Sequence, residues 1–551
     1  MRIRVKTLPP VALCIALLVS LGNLRAETIV EKTTSSWLRV DDTGKLVYAE
    51  DKKGNRLPDF SYVGYHSVEK AIPDIPVQMM LEPADGDDTQ RIQDALDKLG
   101  ELPLDKSGHR GALLLKRGVY RVEGELNIRY SGIVLRGEGN DPDGSVIVAT
   151  GYGEPKYKRT LITVGNGDGI KLDEGSRRNV TDAYVPIGAQ SFSVESVSGY
   201  AVGDPIVVNR PATAKWISLI GCDKLSPRWV KAKDGTQVDQ TKQWVPEDYN
   251  LNFERRITGI KGQQVTIDAP VVQPMNADYG GGAIFHYEAP TRVTEIGIEN
   301  IRLMSEFAPP VEGNPYGDPK ATTRSEEHGW HGIKLSRNSE NTWVRNVSGK
   351  YFGWSLVSAS GNHATVQDCA NFGHASQIRG GRRYPFMIDG QLNLVQRCLT
   401  VEGRHEFVNQ AWTCGPNVFV DCIGFKSKAP AGPHHRYSIG NFYDNVKSEN
   451  YMESRFRGNS GTGHGWAGTQ TCFYNCIALG FKVEAPPGGI SWVIGSGKSD
   501  QADNRVSPAS LYYQQVLDRL GKAALDRLAT KEQQKNIGKY LWVSERLKNE
   551  K

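Results

Sequence analysis

One pattern returns at near-constant spacing through residues 343–477, and it limits the fold more than anything else in the chain. Segments ending at Asn346, Cys369, Cys398, Cys422, Asn445 and Cys476 lie 23, 29, 24, 23 and 31 residues apart. Three positions before each stands an apolar or aromatic residue: Trp343, Val366, Val395, Phe419, Phe442 and Phe473. One position after each stands Val347, Ala370, Leu399, Ile423, Val446 or Ile477. Recurrence at such a period marks a stacked solenoid, in which each repeat buries its apolar face on its neighbours. Helical repeats would need apolar residues every three or four positions over long stretches. Here the apolar runs are short and broken by Gly, Asn and Asp, as in WSLVSAS (354–360), FMID (386–389) and NVFVDC (417–422). No regular leucine consensus is present. Three short strands and three turns fit one such repeat at about 3.3 Å per residue. The expectation is an all-β, right-handed, single-stranded parallel β-helix in which Phe419, Phe442 and Phe473 stack in neighbouring coils and Asn and Cys form internal ladders.

The cysteines agree with this reading. Of eight, Cys14 lies in the N-terminal leader and four (Cys369, Cys398, Cys422, Cys476) occupy the ladder. They read as small buried side chains, not as a disulfide framework. Cys414 and Cys472 fall outside the column, which leaves one bridge open. No spacing typical of a zinc site occurs.

Residues 1–26 combine a basic start (Arg2, Arg4, Lys6), an apolar run Val11–Leu21 and Ala26 at the proposed cut. They read as a secretory signal peptide, so export to the periplasm or the exterior is expected, with no membrane insertion. Removing Arg2, Arg4, Lys6 and Arg25 from 67 basic residues leaves 63 against 62 acidic. Global charge therefore gives no case for nucleic acid, and attraction to an anionic partner must come from local clustering.

The mature chain divides into residues 27–185 with the first coils, a β-rich insert at 186–290, coils at 291–485 carrying the groove, and a helical tail at 486–551. Asp87-Asp88-Thr89 before IQDALDKLGE reads as a capped amphipathic helix over the open end of the first coil. GALLLKRGVYRV (111–122) and GIVLRGEG (132–139) read as strand, turn, strand. VGDPIVVNRP (202–211) and ITGIKGQQVTIDAPVV (257–272) read as strands of the insert. Trp216, Trp229, Trp244 and Tyr249 lie between these two runs, as the insert's own core or as faces for sugar rings. The last stretch, EQQKNIGKYLWVSERLKNEK, is charged and reads as loosely held.

The run DDTQRIQDALDKLG, then GALLLKRGVYRV, then GIVLRGEG resembles the opening of pectate-lyase-superfamily β-helix proteins. That resemblance implies the fold. It leaves the activity open, since the superfamily holds lyases, hydrolases, epimerases and phage tailspikes. Arg383-Tyr384-Pro385 matches the start of the Arg-x-Pro-x-x-Arg element of calcium-dependent pectate lyases, but Ile388 stands at the final Arg position. Gly463-His464-Gly465 matches the Gly-His-Gly of polygalacturonase-type hydrolases without the Asp pair before it. DGDD (85–88) is explained by helix capping more simply than by calcium.

The chemistry gathers on one corner. In successive repeats the same strand is preceded by His331, Trp354, Arg382-Arg383-Tyr384, Arg404-His405, His434-His435-Arg436 and His464. The two long spacings carry their extra residues here, as HASQIRGGRR (374–383) and SRFRGNSGTGHG (454–465). Coils about 4.8 Å apart would line these side chains along a groove. β-Elimination in a uronate polymer needs the C6 carboxylate neutralised, a base for the C5 proton and an acid for the leaving oxygen. His, Arg and Tyr supply all three without a cofactor; none is required, with calcium the one ion left open. The catalytic candidates are His405 or His435 as base, Tyr384 or the other His as acid, and Arg383 and Arg436 on the carboxylate. His331, Arg382, Arg404, His434, Asn459, His464 and Trp466 are the substrate-binding candidates. The expected activity is a polysaccharide lyase acting on an acidic polysaccharide as a monomer. A β-helix glycoside hydrolase using a carboxylate pair drawn from Asp389, Glu402, Glu406, Asp421 and Glu453 is the rival. A non-catalytic glycan-binding solenoid is the third reading.

Overall fold

The computed structural model describes residues 27–151, 159–232, 234–307, 327–498, 504–548 and 550. The proposed signal peptide lies outside them. Strand follows strand in parallel register from Val77–Leu81 to Ile490–Ile494, the arrangement of a parallel β-helix. One internal column runs through almost every coil: Leu113, Leu135, Ile298, Val344, Val366, Val395, Phe419, Tyr443, Phe473 and Val493 pair in series. All ten sit in the central core. Phe419 stacks on Tyr443 at 5.1 Å and Tyr443 on Phe473 at 5.0 Å between ring centroids.

The expected places of Trp343 and Phe442 in this ladder are therefore corrected to Val344 and Tyr443. Trp343 packs in a separate cluster with Tyr65 and Ile75. Phe442 pairs with Val418 and Cys472 and points out of the coil, where it stacks on Phe60 at 4.4 Å. Side chains alternate across a strand, so a one-residue difference in register moves a residue to the opposite face. The Asn and Cys column also splits in two. Asn346, Asp368, Arg397, Asp421, Asn445 and Asn475 have φ between 47° and 57°, one left-handed residue at the same turn of each coil. Asn and Asp visit that conformation most readily among residues with a side chain. One position later Val347, Cys369, Cys398, Cys422, Val446 and Cys476 point inward. All seven described cysteines are buried and free, and Cys414 packs in the insert core while Cys472 lies outside the coils, so no bridge joins them.

Phe442 is fully buried against the N-terminal segment. Phe442→Ala is expected to cost about 3–5 kcal/mol, read by chemical denaturation. Adding Phe60→Ala should cost less than its own single effect, because the two rings share one contact. Strict additivity would show that the stack contributes nothing.

Both ends of the solenoid are covered. Helix Thr89–Glu101 lays Ile92, Leu96 and Leu99 on the first coil. Strand Glu27–Glu31 pairs in parallel with Ile490–Ile494 of the last. Helices Leu511–Leu520 and Lys522–Leu528 pack on the flank that also holds Phe60 and Phe442. The charged tail is not loose. Gly538 N and Trp542 Nε1 donate to the Asp421 carboxylate at 3.1 and 2.9 Å, and Arg546 pairs with Asp368 at 2.9 Å. The tail follows the left-handed turn column because that column presents a line of carboxylates and amides.

Antiparallel strands between Lys171 and Glu288 form a separate seven-stranded sheet. Trp216, Trp244 and Tyr249 fill its core, together with Cys414, Tyr437 and Ile439 from the coils. Trp229 alone of the four insert aromatics is exposed, on the hairpin Trp229–Lys231/Gln237–Asp239. No helix among the described residues is long and apolar enough to cross a membrane.

Candidate functional site

A seven-stranded parallel sheet forms one side of the solenoid, and its outer face is the floor of the site. Ser358, Met387, Val408 and Gly432 pair in series across it. Tyr384 packs on Met387 and Val408, with Trp354 beside them. Coil stacking sets the loops above. Arg404 and His405 both donate their amides to Arg383 O, and Arg436 donates to His464 O. Residues distant in the chain are thus neighbours on one corner.

The imidazoles converge. Ring centroids of His405 and His434 are 4.5 Å apart, His434 and His435 4.9 Å, His435 and His464 4.9 Å, and His434 and His464 5.5 Å. Tyr384 lies 5.1 Å from His405. Hydrogen-bond accounting assigns the protons. Arg457 Nη1 stands 3.1 Å from His434 Nδ1, and a guanidinium only donates, so that nitrogen accepts. The His434 proton then sits on Nε2, 3.2 Å from the Tyr384 hydroxyl. Arg404 Nη1 and Gly381 N donate to the same oxygen at 3.1 and 3.3 Å. These three donors compete for at most two lone pairs on the phenol oxygen, so none of them takes its proton, which is left to direct at a ligand. His405 donates Nδ1–H to Pro430 O at 2.6 Å, which leaves Nε2 a bare acceptor with no partner. Nδ1 of His435 and Nδ1 of His464 are likewise buried without partners.

Charge is distributed unusually here. Among the described residues Arg404, Arg436 and Arg457 make no ion pair. Nearby carboxylates are already engaged: Glu402 lies 3.8 Å from Arg383, and Glu453 holds Arg455 at 3.0 Å and Lys482 at 3.4 Å. Burial, reinforced by these cations, keeps the imidazoles neutral. His405 and His464 are pushed down to about 3 and His435 to about 4, while His434 is held well below its ordinary value. Burial also lowers Arg457. A desolvated guanidinium without a counter-charge is costly unless an anion arrives.

These shifts set a pH dependence of stability. Unfolded imidazoles take up protons below about 6.5, whereas the folded ones resist until about 4 or 3. The unfolded state then binds more protons, so stability falls as pH drops from 6.5 toward 4. Five carboxyls among the described residues act in the opposite sense: burial raises Glu406 to about 8 and Asp444 to about 7 and also raises Asp59, Asp389 and Asp421, and their contribution is lost as pH rises. The expected result is a Tm that declines between pH 6.5 and 4, more steeply in Glu406→Gln. A flat Tm across that window would refute the neutral cluster.

Several sequence candidates lie elsewhere. Arg383 is fully buried, with φ +60° and Nε donating to Ser376 O at 2.9 Å, so it anchors its own loop and does not face the groove. Its left-handed backbone turns the side chain inward. Arg382 lies over the Trp330 ring at 5.2 Å. His331 bonds Ser355 Oγ at 2.6 Å and stacks on Trp354, upstream of the cluster. Trp466 donates Nε1 to Ile220 O at 2.9 Å, and Asn459 donates to Pro227 O at 3.1 Å; both tie the 454–465 loop to the insert. That loop fits closely: a Cβ on Gly465, whose φ is +55°, would come within 2.4 Å of Trp244. Arg436 keeps a place at the edge, over Trp412 at 6.0 Å and bonded to Thr462 O at 3.2 Å. Arg457 is the residue that sequence reasoning left unnamed. Its signal was the 31-residue spacing that marks its loop.

Three of the five carboxylates of the rival hydrolase lie away from the cluster or are buried. Glu406 is fully buried and bonds Ser448 Oγ at 3.0 Å, and Asp421 is buried under Trp542. Asp389 lines a separate cavity of about 310 Å³. A cavity of about 820 Å³ lies between the insert and the coils, lined by His66, Arg255 and His363 and by none of the clustered histidines. No group of three or more His, Cys, Asp or Glu among the described residues is placed to hold a metal. Asp87 accepts from Thr89 N and Glu123 N at 3.0 Å, a structural role at the helix start.

No protein-family model matches the sequence, and no curated protein does. Among solved structures the chain is similar to the tailspike protein gp49 of Pseudomonas phage LKA1, at 12% identity and a TM-score of 0.40, over 71% of this chain and 52% of that one. A tailspike of E. coli bacteriophage HK620, solved with a pentasaccharide, matches at 10% identity and a TM-score of 0.32, over 72% and 48%. A glycoside hydrolase matches at 10% identity and a TM-score of 0.30, over 79% and 99%. The chain spans about half the length of these tailspikes. At such values the likenesses speak neither for nor against any activity.

Proposed function

We propose that this protein is an exported polysaccharide lyase that cleaves a uronate-containing glycan by β-elimination. One observation carries the reading: among the described residues three guanidiniums that make no ion pair lie beside neutral imidazoles and a phenol, while the nearby carboxylates Glu402 and Glu453 are taken up by other cations. Arg404 and Arg457 take the C6 carboxylate and hold the charge that develops on it as the C5 proton leaves. His435, half-buried and neutral, accepts that proton. The C5–H electrons form the C4=C5 double bond, and the C4–O bond breaks. Tyr384 gives its hydroxyl proton to the departing oxygen, and solvent later returns the proton from His435 to restore both groups.

Burial ranks the residues. Tyr384 is 2% exposed, His405 6% and His434 8%, whereas His435, His464, Arg404 and Arg457 are half-buried. Arg404 covers the Tyr384 hydroxyl and lies 6.0 Å above its ring. Movement of Arg404 onto a substrate carboxylate uncovers that hydroxyl. His405 and His434 lie beneath and position the phenol. The carboxylate offsets the cations that help depress the imidazoles, so the bound site contains a stronger base than the empty one.

Incubation with a panel of uronate polymers and mass analysis of the fragments tests the reading. Elimination leaves an unsaturated terminal ring, whereas hydrolysis adds a water. Hydrated fragments, or retention of glycan with no fragments, would overturn it.

A further inference from the structure

The 310 Å³ cavity next to the imidazole cluster differs from it in charge. Asp389, Gln410 and His434 each stand one residue past the paired Ile388, Asn409 and Pro433, so the cavity and the cluster share one line across adjacent coils. A second route joins them. Arg436, beside His435, lies over the Trp412 ring, and Trp412 lines the cavity. Trp412 is 39% exposed, and its left-handed backbone, with φ +55°, accompanies a ring held against Tyr249 at 5.6 Å.

The cavity is lined by three carboxylates (Asp168, Glu254, Asp389) and two guanidiniums (Arg292, Arg337). Arg292 is already held by Glu254 at 2.6 Å and by Glu340 at 3.1 Å, so it offers no spare charge. Among the described residues the Asp389 carboxylate accepts one side-chain hydrogen bond, from the Ser360 hydroxyl at 3.1 Å, and the residue lines the cavity. Arg337 makes no ion pair among the described residues and faces two lining carboxylates, Asp168 and Asp389, so a second uronate placed here would meet more negative than positive charge. A ring with hydroxyl donors would satisfy Asp389 while stacking on the aromatic face.

We infer that this cavity is a subsite for an uncharged, hydroxyl-rich sugar, so that the substrate is a heteropolymer in which a neutral residue adjoins the uronate held by the arginines. The inference rests on the elimination reading for the position of the uronate. It commits Trp412 to stacking and Asp389 to accepting sugar hydroxyls.

Calorimetric titration of the full chain with two tetrasaccharides tests it: one alternating uronate with neutral hexose, the other all uronate. The alternating ligand should bind at least about tenfold more tightly, the worth of one good stack or charged hydrogen bond. Trp412→Ala should erase most of that preference by weakening the alternating ligand, and Asp389→Asn should erase it partly by raising the all-uronate affinity, with circular dichroism confirming the fold. Equal affinities, or a preference that survives both substitutions, would overturn the subsite. Unsaturated products formed equally well from the homopolymer would overturn it while elimination stands. Failure of both ligands to bind would overturn subsite and elimination together.

Discussion

Arg457→Ala should reduce turnover by about 10²–10³ and leave the protein at least as stable as the parent. The two expectations come from the same fact. Arg457 lies half-buried, donates to His434, and makes no ion pair among the described residues. Burial lowers its proton affinity, and the Arg455 charge adds to this. In the empty protein this half-buried cation has hydrogen bonds to His434 but no ion pair among the described residues, so its removal is expected to relieve at least as much desolvation cost as it loses in hydrogen bonding. In the reaction it is a preorganised counter-charge for the carboxylate. Removal also frees the His434 tautomer, since Nδ1 no longer faces an obligate donor. Turnover measured with the preferred uronate polymer, beside urea denaturation, checks both halves. Near-parental turnover would remove Arg457 from the site, and a large loss of stability would make it structural.

Tyr384→Phe deletes one oxygen and should cost about 10²–10⁴ in turnover, the usual range for loss of a general acid. Three donors now share that oxygen: Arg404 Nη1, Gly381 N and His434 Nε2. Leaving buried donors unpaired costs about 1–3 kcal/mol, so a modest stability loss should accompany the activity loss. Activity and stability are separable through His435→Ala. That residue donates to no described partner through Nδ1 and should lose turnover with little change in Tm. Tyr384→Phe with near-parental turnover would assign the proton donor elsewhere. Loss in Tyr384→Phe together with full activity in His435→Ala would retain the acid and discard the base.

Much of the site could be read from the chain before any fold was known. Tyr384, Arg404 and His405 precede the paired strands Phe386–Ile388 and Phe407–Asn409, as their spacing predicts. His434 and His435 instead follow the next strand of that sheet, Gly432–Pro433, and His464 precedes Gly468–Thr469 of another sheet. Coil stacking still brings the rings to within 4.5 to 5.5 Å of one another. A solenoid turns sequence spacing into spatial neighbourhood, so a list of residues at one phase is already a list of contacts. The same logic failed by one residue at Phe442. Both Phe442 and Tyr443 are aromatic, and nothing in the column says which of two adjacent rings faces inward. The coil pairing decides it, by placing Tyr443 opposite Phe419 and Phe473. Arg383 and Arg457 show the same limit for charge. The first carries φ +60° and is turned into its loop, and the second reaches the site only because the insert holds the 454–465 loop in place.

The repeat by itself determined the solenoid, the inward apolar columns, the capping helix and the corner where polar loops gather. These follow from period and hydrophobicity, which act locally or between neighbouring coils. Only the tertiary structure decided which arginines lack a counter-charge, which imidazole nitrogens are bare, and that the C-terminal tail docks along the left-handed turn column. Each of these depends on burial and on partners hundreds of residues away: Trp542 on Asp421, Trp244 on Gly463 and Phe60 on Phe442. Desolvation and pairing are properties of the packed chain, and a sequence pattern sets the residue type without setting what surrounds it.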